Sequence, residues 1–496
     1  MNPSGRGNRA PAPILKQYRQ MRTRLHPLES DFVRDQLALR AVTANQVRTQ
    51  PEGDYVLYWM QSTHRFEENW ALRQAILHAD RLGKPLLVHQ GLDPTYEHAS
   101  DRIHTVILEN AVALHRRAAR LGFSYQFVLR RRRDDDRRAV DRLAARAALV
   151  VTDRFPTAGI AERTARFVER APCRVDLVES HGIVPCGAFV KEEFAARTIR
   201  PKIARLLELA LEPVEERPAA RALPDAVWRS LDVDRLDLAR VDVAAEVARC
   251  EIDHTVWPVP FASGLDGARA RLAHFCRTAL ADYAERRNEP ADVDGSSRLS
   301  PWLHFGQISA AEVLRTVRDA GHTESAAKFQ DELVTWRELA FNFCLRNPEH
   351  GKLKGLPEWV HRTMAAHKDD PREAIYTREQ LEYAETHDAL WNAAQREMVT
   401  TGHMHNVVRM LWGKSTLLWT ARYKHALEHL IHLNNKWALD GRDPSSYGGI
   451  QWCFGKFDRP WFDKPVWGLI RPQSLQRARE KSDAETYIRR HATPLR

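Results

Sequence analysis

The stretch Asp54-Tyr-Val-Leu-Tyr-Trp-Met60 is apolar in nearly every position, with no alternation of polar and apolar residues. A strand with one face in water alternates, whereas a strand covered on both faces does not. DYVLYWM therefore reads as an inner strand of a sheet sandwiched between helices. Four further runs share the pattern: PLLVHQGL (85–92), FSYQFVL (123–129), ALVVTD (148–153) and CRVDLVES (173–180). Helical periodicity lies between them. The clearest case is 101–121, where Ile103, Ile107, Leu114, Ala118 and Leu121 share a face, Asp101 is placed to cap the start and Gly122 to end it. Strand–helix repetition of this kind predicts a Rossmann-like, open, parallel, five-stranded sheet. Neither GxGxxG nor GxxxxGK[ST] follows the first strand, so a nucleotide cradled by a Gly-rich loop there is disfavoured.

Working outward, residues 1–50 read as a basic N-terminal arm, since MNPSGRGNRAPAPILKQYRQ carries no acid and no apolar core of a secretory signal; an organelle transit peptide is the alternative. The α/β unit is expected over 51–210. RRRRDDDRR (130–138) reads as a solvated loop that neutralises itself. Residues 211–262 turn Pro-, Asp- and Arg-rich and read as a connector. From 263 to 496 strand signals vanish, and an all-α domain is expected. Ser309 and Glu312 there have capping-box spacing, in a helix ending at Gly321.

The chain has 496 residues, 43% of them hydrophobic and 28% charged, with a net charge of +10. It is long enough for two or three cores, and its charge suits a polyanionic partner. No apolar run is long enough to span a bilayer, so no membrane association is expected. Six cysteines are scattered without a CxxC pair, which disfavours a zinc site or disulfide framework and fits a reducing cytoplasm. Most of the 14 tryptophans lie after residue 300.

Four stretches in this second half could carry chemistry. In GSSRLSPWLHFGQIS (295–309), Pro301 favours a first helical turn, preceded by hydroxyls and free N–H groups; this is an anion cradle or a plain capped helix. In DELVTWRELAFNFC (331–344), Glu332 and Trp336 share a helix face while Arg337 points elsewhere. The pair could grip a flat heterocycle or form a rim ion pair and a half-buried ring. In THDALWNAAQREMVTTGHMHNVVRMLWGKSTLLW (386–419), Trp412 and Trp419 are two turns apart on one face, and Trp391 lies on an earlier segment. Taken alone, such rings are an aromatic core. In LNNKWALDGRDPSSYGGIQWCFG (433–455), Gly441 is a candidate residue just past a helix end and Asp440 can pair with Arg409. Asn434 offers both a donor and an acceptor to a ring nitrogen.

With YWMQSTHRFEENWAL (58–72) and EEFAARTIRPKI (192–203), the segments SSRLSPWLHFGQIS (296–309), ETHDALWNAAQREMVTTGHMH (385–405) and LDGRDPSSYGGIQW (439–452) resemble the photolyase/cryptochrome family, and within it the class II cyclobutane pyrimidine dimer photolyases. The likeness spans residues 20–475. It implies an α/β domain that can hold an antenna chromophore of deazaflavin or folate type, then a helical domain that binds FAD, active in its reduced, anionic form. By this resemblance Tyr283, Ser296, Ser297, Arg298, Leu299 and Ser300 contact the FAD phosphates. Arg337, Asn406, Arg409, Asp440, Gly441 and Asp443 surround the cofactor, and Asn434 sits at flavin N5. Glu332, Trp336, Met410 and Trp452 line the lesion pocket. Trp412, Trp391 and Trp419 form the electron-transfer chain, in that order outward from the flavin.

The expected activity is light-driven splitting of dimers in UV-damaged DNA by a monomeric enzyme. A flipped-out dimer needs aromatic walls and a polar edge contact, which these residue types supply. A cryptochrome-like photoreceptor is the alternative, and a non-catalytic flavin or nucleic-acid binding protein a third. Three positions depart from the class II pattern: Leu411 where a tyrosine is common, Asn435 where an aspartate is common, and a VPCGAF segment (184–189) less aromatic than usual.

Overall fold

The computed structural model describes residues 31–213 and 217–495. Five strands form where the apolar runs predict them: β2 (Tyr55–Met60), β3 (Leu86–Leu92), β4 (Ser124–Leu129), β5 (Ala147–Asp153) and β6 (Val175–Val178). They pair in parallel in the order β6-β5-β2-β3-β4. All of β2 and β5 is buried, as unbroken apolar runs require.

A sixth strand corrects the five-stranded expectation. β1 (Ala41–Thr43) pairs antiparallel with β6, and Thr43 Oγ1 donates to Asp176 Oδ1 at 2.9 Å. Three residues are too few to show a period, so the strand leaves no trace in the sequence pattern. The preceding helix α1 (Asp31–Arg40) likewise falls within the expected arm. Arg40 anchors it: the buried guanidinium donates to Glu179 at 3.0 Å and to Gly182 O at 2.9 Å, and lies over Trp70. Residues 1–30 of that expected arm lie outside the described residues.

The loop after β2 explains the missing Gly-rich motif. Asp153 Oδ2, at the end of β5, accepts from the backbone N–H groups of Gln61, Ser62 and Thr63 at 2.7–3.0 Å. Converging backbone N–H groups of this kind make an anion nest. Here the chain's own carboxylate fills it, and Tyr58 donates to the other oxygen at 2.9 Å.

The helix α2 (Trp70–Leu82) packs on the sheet, and α3 (Asp101–Leu121) follows as predicted, ended by Gly122 at φ 76°. Its cap position is Ser100, and Asp101 instead accepts from His254 at 2.7 Å. The Arg-rich loop does not neutralise itself as expected: Arg132 pairs with Asp134 inside the run, but Arg131 and Arg133 reach Glu246 and Glu251, and the buried Arg130 pairs with Asp93.

Residues 217–256 of the expected connector pack against the α/β unit. Leu236 N–H donates to Phe127 O at 2.9 Å, and Leu238, Val247 and Cys250 join the core under α3. These apolar residues are buried singly, so no periodicity reveals them.

From Leu265 on the described chain is helical. Ser309 caps the helix Ala310–Asp319 by accepting from Ala311 N–H, but the capping box stays open because Glu312 binds Arg269 at 2.6 Å. The elements that matter below are α4 (Arg337–Arg346), α5 (Ala389–Thr401), α6 (Asn406–Leu418), α7 (Tyr423–Trp437), α8 (Pro444–Cys453) and α9 (Ala484–Arg490). Arg102 of α3 ties the two halves together, donating to Val399 O at 2.7 Å and to Trp437 O, which closes the last turns of α5 and α7.

Candidate active site

The helical half encloses a cavity of about 610 Å3. One wall is Tyr283 and the run Ser296, Ser297, Arg298, Leu299, Ser300; another is Glu332, Trp336 and Arg337. Asn406, Arg409, Met410 and Trp412 of α6 face them. Asn434, Asp440, Asp443 and Trp452 complete it. Gly441, Trp391 and Trp419 do not line the cavity.

The 295–300 run is shaped by strain and ion pairing rather than by a cap. Arg298 takes φ 54°, and Arg271 donates to Ser296 O at 2.9 Å and to Ser297 O at 2.8 Å. A left-handed non-glycine residue costs on the order of 1 kcal/mol or more and persists only where its surroundings hold it. The helix that begins at Ser300 is one turn long and lacks a side-chain cap, so the capped-helix reading of this run fails.

Arg409 and Asp440 form the expected pair, a two-pronged contact at 3.2 and 3.1 Å. Burial alone would raise the Asp440 carboxyl. The Arg409 guanidinium and a Ser300 hydrogen bond hold it below its ordinary value, so it stays ionised. Asp443 behaves alike: burial opposes its charge, yet Arg337 at 3.7 Å and His304 at 3.3 Å keep it well below the carboxylate range.

Arg337 corrects the helical-wheel reading, which pointed it away from Glu332 and Trp336. Asp331–Trp336 is a π-turn, in which hydrogen bonding runs from i to i+5. The residue five on then falls under its partner as well as the residue four on. Glu332, Trp336 and Arg337 thus all reach one cavity. Glu332 is not free there: Arg287 NH2 lies 2.7 Å away and Lys328 Nζ 3.3 Å. Arg287 also lines the cavity and was not singled out in the sequence, because it sits 45 positions earlier on a polar segment without a motif.

Gly441 has a structural place rather than a lining one. The helix before it closes at Ala438, not at Gly441, and a Cβ on Gly441 would lie 2.6 Å from Asn434 O. Only glycine permits that approach, which sets Asn434 and Asp440 on the same side. Asn434 is buried and donates to Asn435 Oδ1 at 3.3 Å.

The tryptophans line up. Trp391 stacks on Trp412 with centroids 6.3 Å apart and planes at 17°, and meets Trp419 at 6.0 Å. Trp391 therefore stands between the other two. Its Nε1 donates to Trp412 O, and Trp412 Nε1 donates to Gln395 Oε1, both at 3.0 Å. The outermost ring, Trp419, is not at the surface: it is 3% exposed, with Tyr376 and the exposed His387 packed beyond it at 5.8 and 4.8 Å.

Comparison with known proteins gives the family. A family profile described as DNA photolyase matches residues 56–220. The deoxyribodipyrimidine photo-lyase of Methanothermobacter thermautotrophicus is 35% identical over 444 residues, covering 88% of this chain and 94% of its own. The chain belongs to the DNA photolyase family. The Arabidopsis thaliana deoxyribodipyrimidine photo-lyase is also 35% identical, covering 87% of this chain and 88% of the relative. Among solved structures, the class III photolyase of Agrobacterium tumefaciens superposes with a TM-score of 0.64 at 19% identity, over 90% of this chain and 88% of that one, which shows the shared fold.

Among the described residues no helix is long and apolar enough to cross a membrane, no cluster of His, Cys, Asp and Glu is placed to hold a metal, and the six cysteines are free.

Proposed function

We propose that this photolyase repairs cyclobutane pyrimidine dimers in UV-damaged DNA under light, as a monomeric, cytoplasmic class II enzyme with FAD as its cofactor. One observation carries the reading. A single cavity joins a strained serine-rich rim, a part-buried Arg–Asp pair, the inner end of a tryptophan series and two indoles, Trp336 exposed and Trp452 half-buried.

The residues fit FAD. Buried donors facing the cavity lack any partner among the described residues: Nε of Arg287, Arg337 and Arg409, and Nε2 of His405. Unmet buried donors are costly, and a ligand rich in phosphate and carbonyl oxygens would satisfy them. In this reading Tyr283, the Ser296–Ser300 run and Arg298 hold the phosphates. Arg409, fixed by Asp440, places positive charge beside the ring system, and Asn434 offers it a hydrogen bond. When bound and reduced, FAD supplies the photoexcited electron that enters the dimer and returns once the ring bonds have parted.

The protein's own task is placement and exclusion of water. Trp336 and Trp452 would sandwich a flipped-out dimer, with Glu332 on its edge and Met410 on the pocket floor. Trp419, Trp391 and Trp412 would pass an electron inward to the cavity. What supports the relay is their ring-to-ring contact and burial. For a second, antenna chromophore of deazaflavin or folate type, the support is in the α/β unit. His89 and Gln126 are register partners on adjacent strands, buried, and carry polar atoms without partners among the described residues.

The test is illumination of FAD-loaded protein with an oligonucleotide carrying one thymine dimer. Restoration of adjacent thymines in light but not in darkness is expected. A FAD-loaded protein that leaves the dimer intact in light would contradict repair and favour a photoreceptor.

A further inference from the structure

Lys414 lies on α6, two residues past Trp412, and is fully buried. Its ammonium has no hydrogen-bond partner among the described residues. An unpaired buried cation is expensive, and a methionine would fill the same space without that penalty. Its neighbours are two indoles: Nζ sits 4.8 Å from the centre of the Trp452 ring and 5.6 Å from that of Trp467. Trp452 lines the cavity, so the cation stands behind the wall. Arg471 adds a second positive charge 5.8 Å from the same ring. The groups facing Lys414 are Cys453 on α8, and Asp458 and Arg471 on the chain that follows. No comparable contact with a cation is found at Trp391, Trp412 or Trp419 among the described residues.

We propose that Lys414 is a positioning residue for the lesion pocket: it pins the Trp452 indole and keeps positive charge behind it. A cation on one face of an indole draws π-density toward itself. The opposite face becomes electron-poor and better suited to a carbonyl-rich pyrimidine. The same charge also favours the dimer while it holds the one electron that it accepts and later returns, so no net oxidant or reductant is needed. This inference rests on the assignment of Trp452 to the dimer pocket.

Burial brings the Lys414 amine down to about 8, with Cys453 and Asp458 opposing the fall and Arg471 adding to it. The charge is therefore present below that pH and lost above it.

The experiment compares wild type, Lys414→Met and Lys414→Arg, all loaded with FAD. Dark binding to dimer-containing and undamaged duplex is measured from pH 7 upward. At pH 7 Lys414→Met is expected to bind the dimer duplex roughly 2- to 30-fold more weakly, the span of one buried cation–π contact, with undamaged duplex unaffected. Wild type should lose the same preference as the pH rises through about 8, while Lys414→Arg keeps it. In the FAD-loaded protein kept dark, tryptophan emission should titrate with the same midpoint, and Lys414→Met should abolish that transition. If Lys414→Met does not fold, the wild-type pH profile set against Lys414→Arg decides. A wild-type preference that is flat through pH 8, or a Lys414→Met protein that discriminates like wild type, overturns the proposal. Failure of the repair reading is separate: wild type itself would then leave the dimer intact in light.

Discussion

Two sets of tryptophans meet at one cavity and differ in almost everything except residue type. Trp391, Trp412 and Trp419 are 0–3% exposed and touch ring to ring, and indole hydrogen bonds hold the inner two. Trp336 is 36% exposed on a π-turn, and Trp452 is half-buried against two cations. An electron relay needs rings that are close and rigid. A stacking wall needs a free face. Environment, not residue identity, divides the two proposed roles.

The largest effect is expected at the Arg409–Asp440 pair, the proposed support of the cofactor. Asp440→Asn leaves the Arg409 guanidinium buried without its counter-charge, which costs about 3–5 kcal/mol. Chemical denaturation should show that loss, and the purified protein should retain little FAD. An FAD-replete, fully stable variant would mean the pair is not part of the site.

On the open side the effect should be smaller and confined to binding. Trp336→Ala or Trp452→Ala should weaken affinity for dimer-containing DNA by about 1–3 kcal/mol, the scale of one base–aromatic stack. Unfolding midpoints should change little for the more exposed Trp336. Unchanged affinity in titrations would place the dimer elsewhere.

The smallest effect concerns the support behind Arg337. Its neighbour Glu338 is buried beside Glu179, and accepts from Ile183 and Val184 N–H across the seam between the two halves. Burial, reinforced by the Glu179 charge, raises its carboxyl from 4.5 to about 7. A raised value means that the folded state holds the proton more tightly. Its contribution to stability is therefore full below 4.5 and lost as pH rises through 7. Replacing it by Gln should flatten the pH dependence of unfolding across that window; an unaltered slope would assign the dependence to other groups.

How much of this could be read without coordinates follows from the length and regularity of each signal. β2 to β6 announce themselves because a doubly covered strand is mostly apolar without alternation. β1 is three residues long and stays silent. Asp153 shows why the first loop needs no glycines, yet only the fold brings it to residues 61–63. Within the site, the linear motifs carry most of the cavity wall, while Arg287 lies outside every motif and Lys414, though inside the 386–419 stretch, gains meaning only beside Trp452. Arg337 was placed on the wrong face because helical spacing assumes an α-turn, and the chain forms a π-turn there.

The division between relay and wall is tested most directly by measuring two reactions on one variant, Trp412→Phe. Light-driven reduction of its oxidised FAD and dimer repair by its chemically pre-reduced form should come apart. Reduction is expected to be lost and repair retained. Reduction at the wild-type rate, or repair lost together with it, would contradict the account.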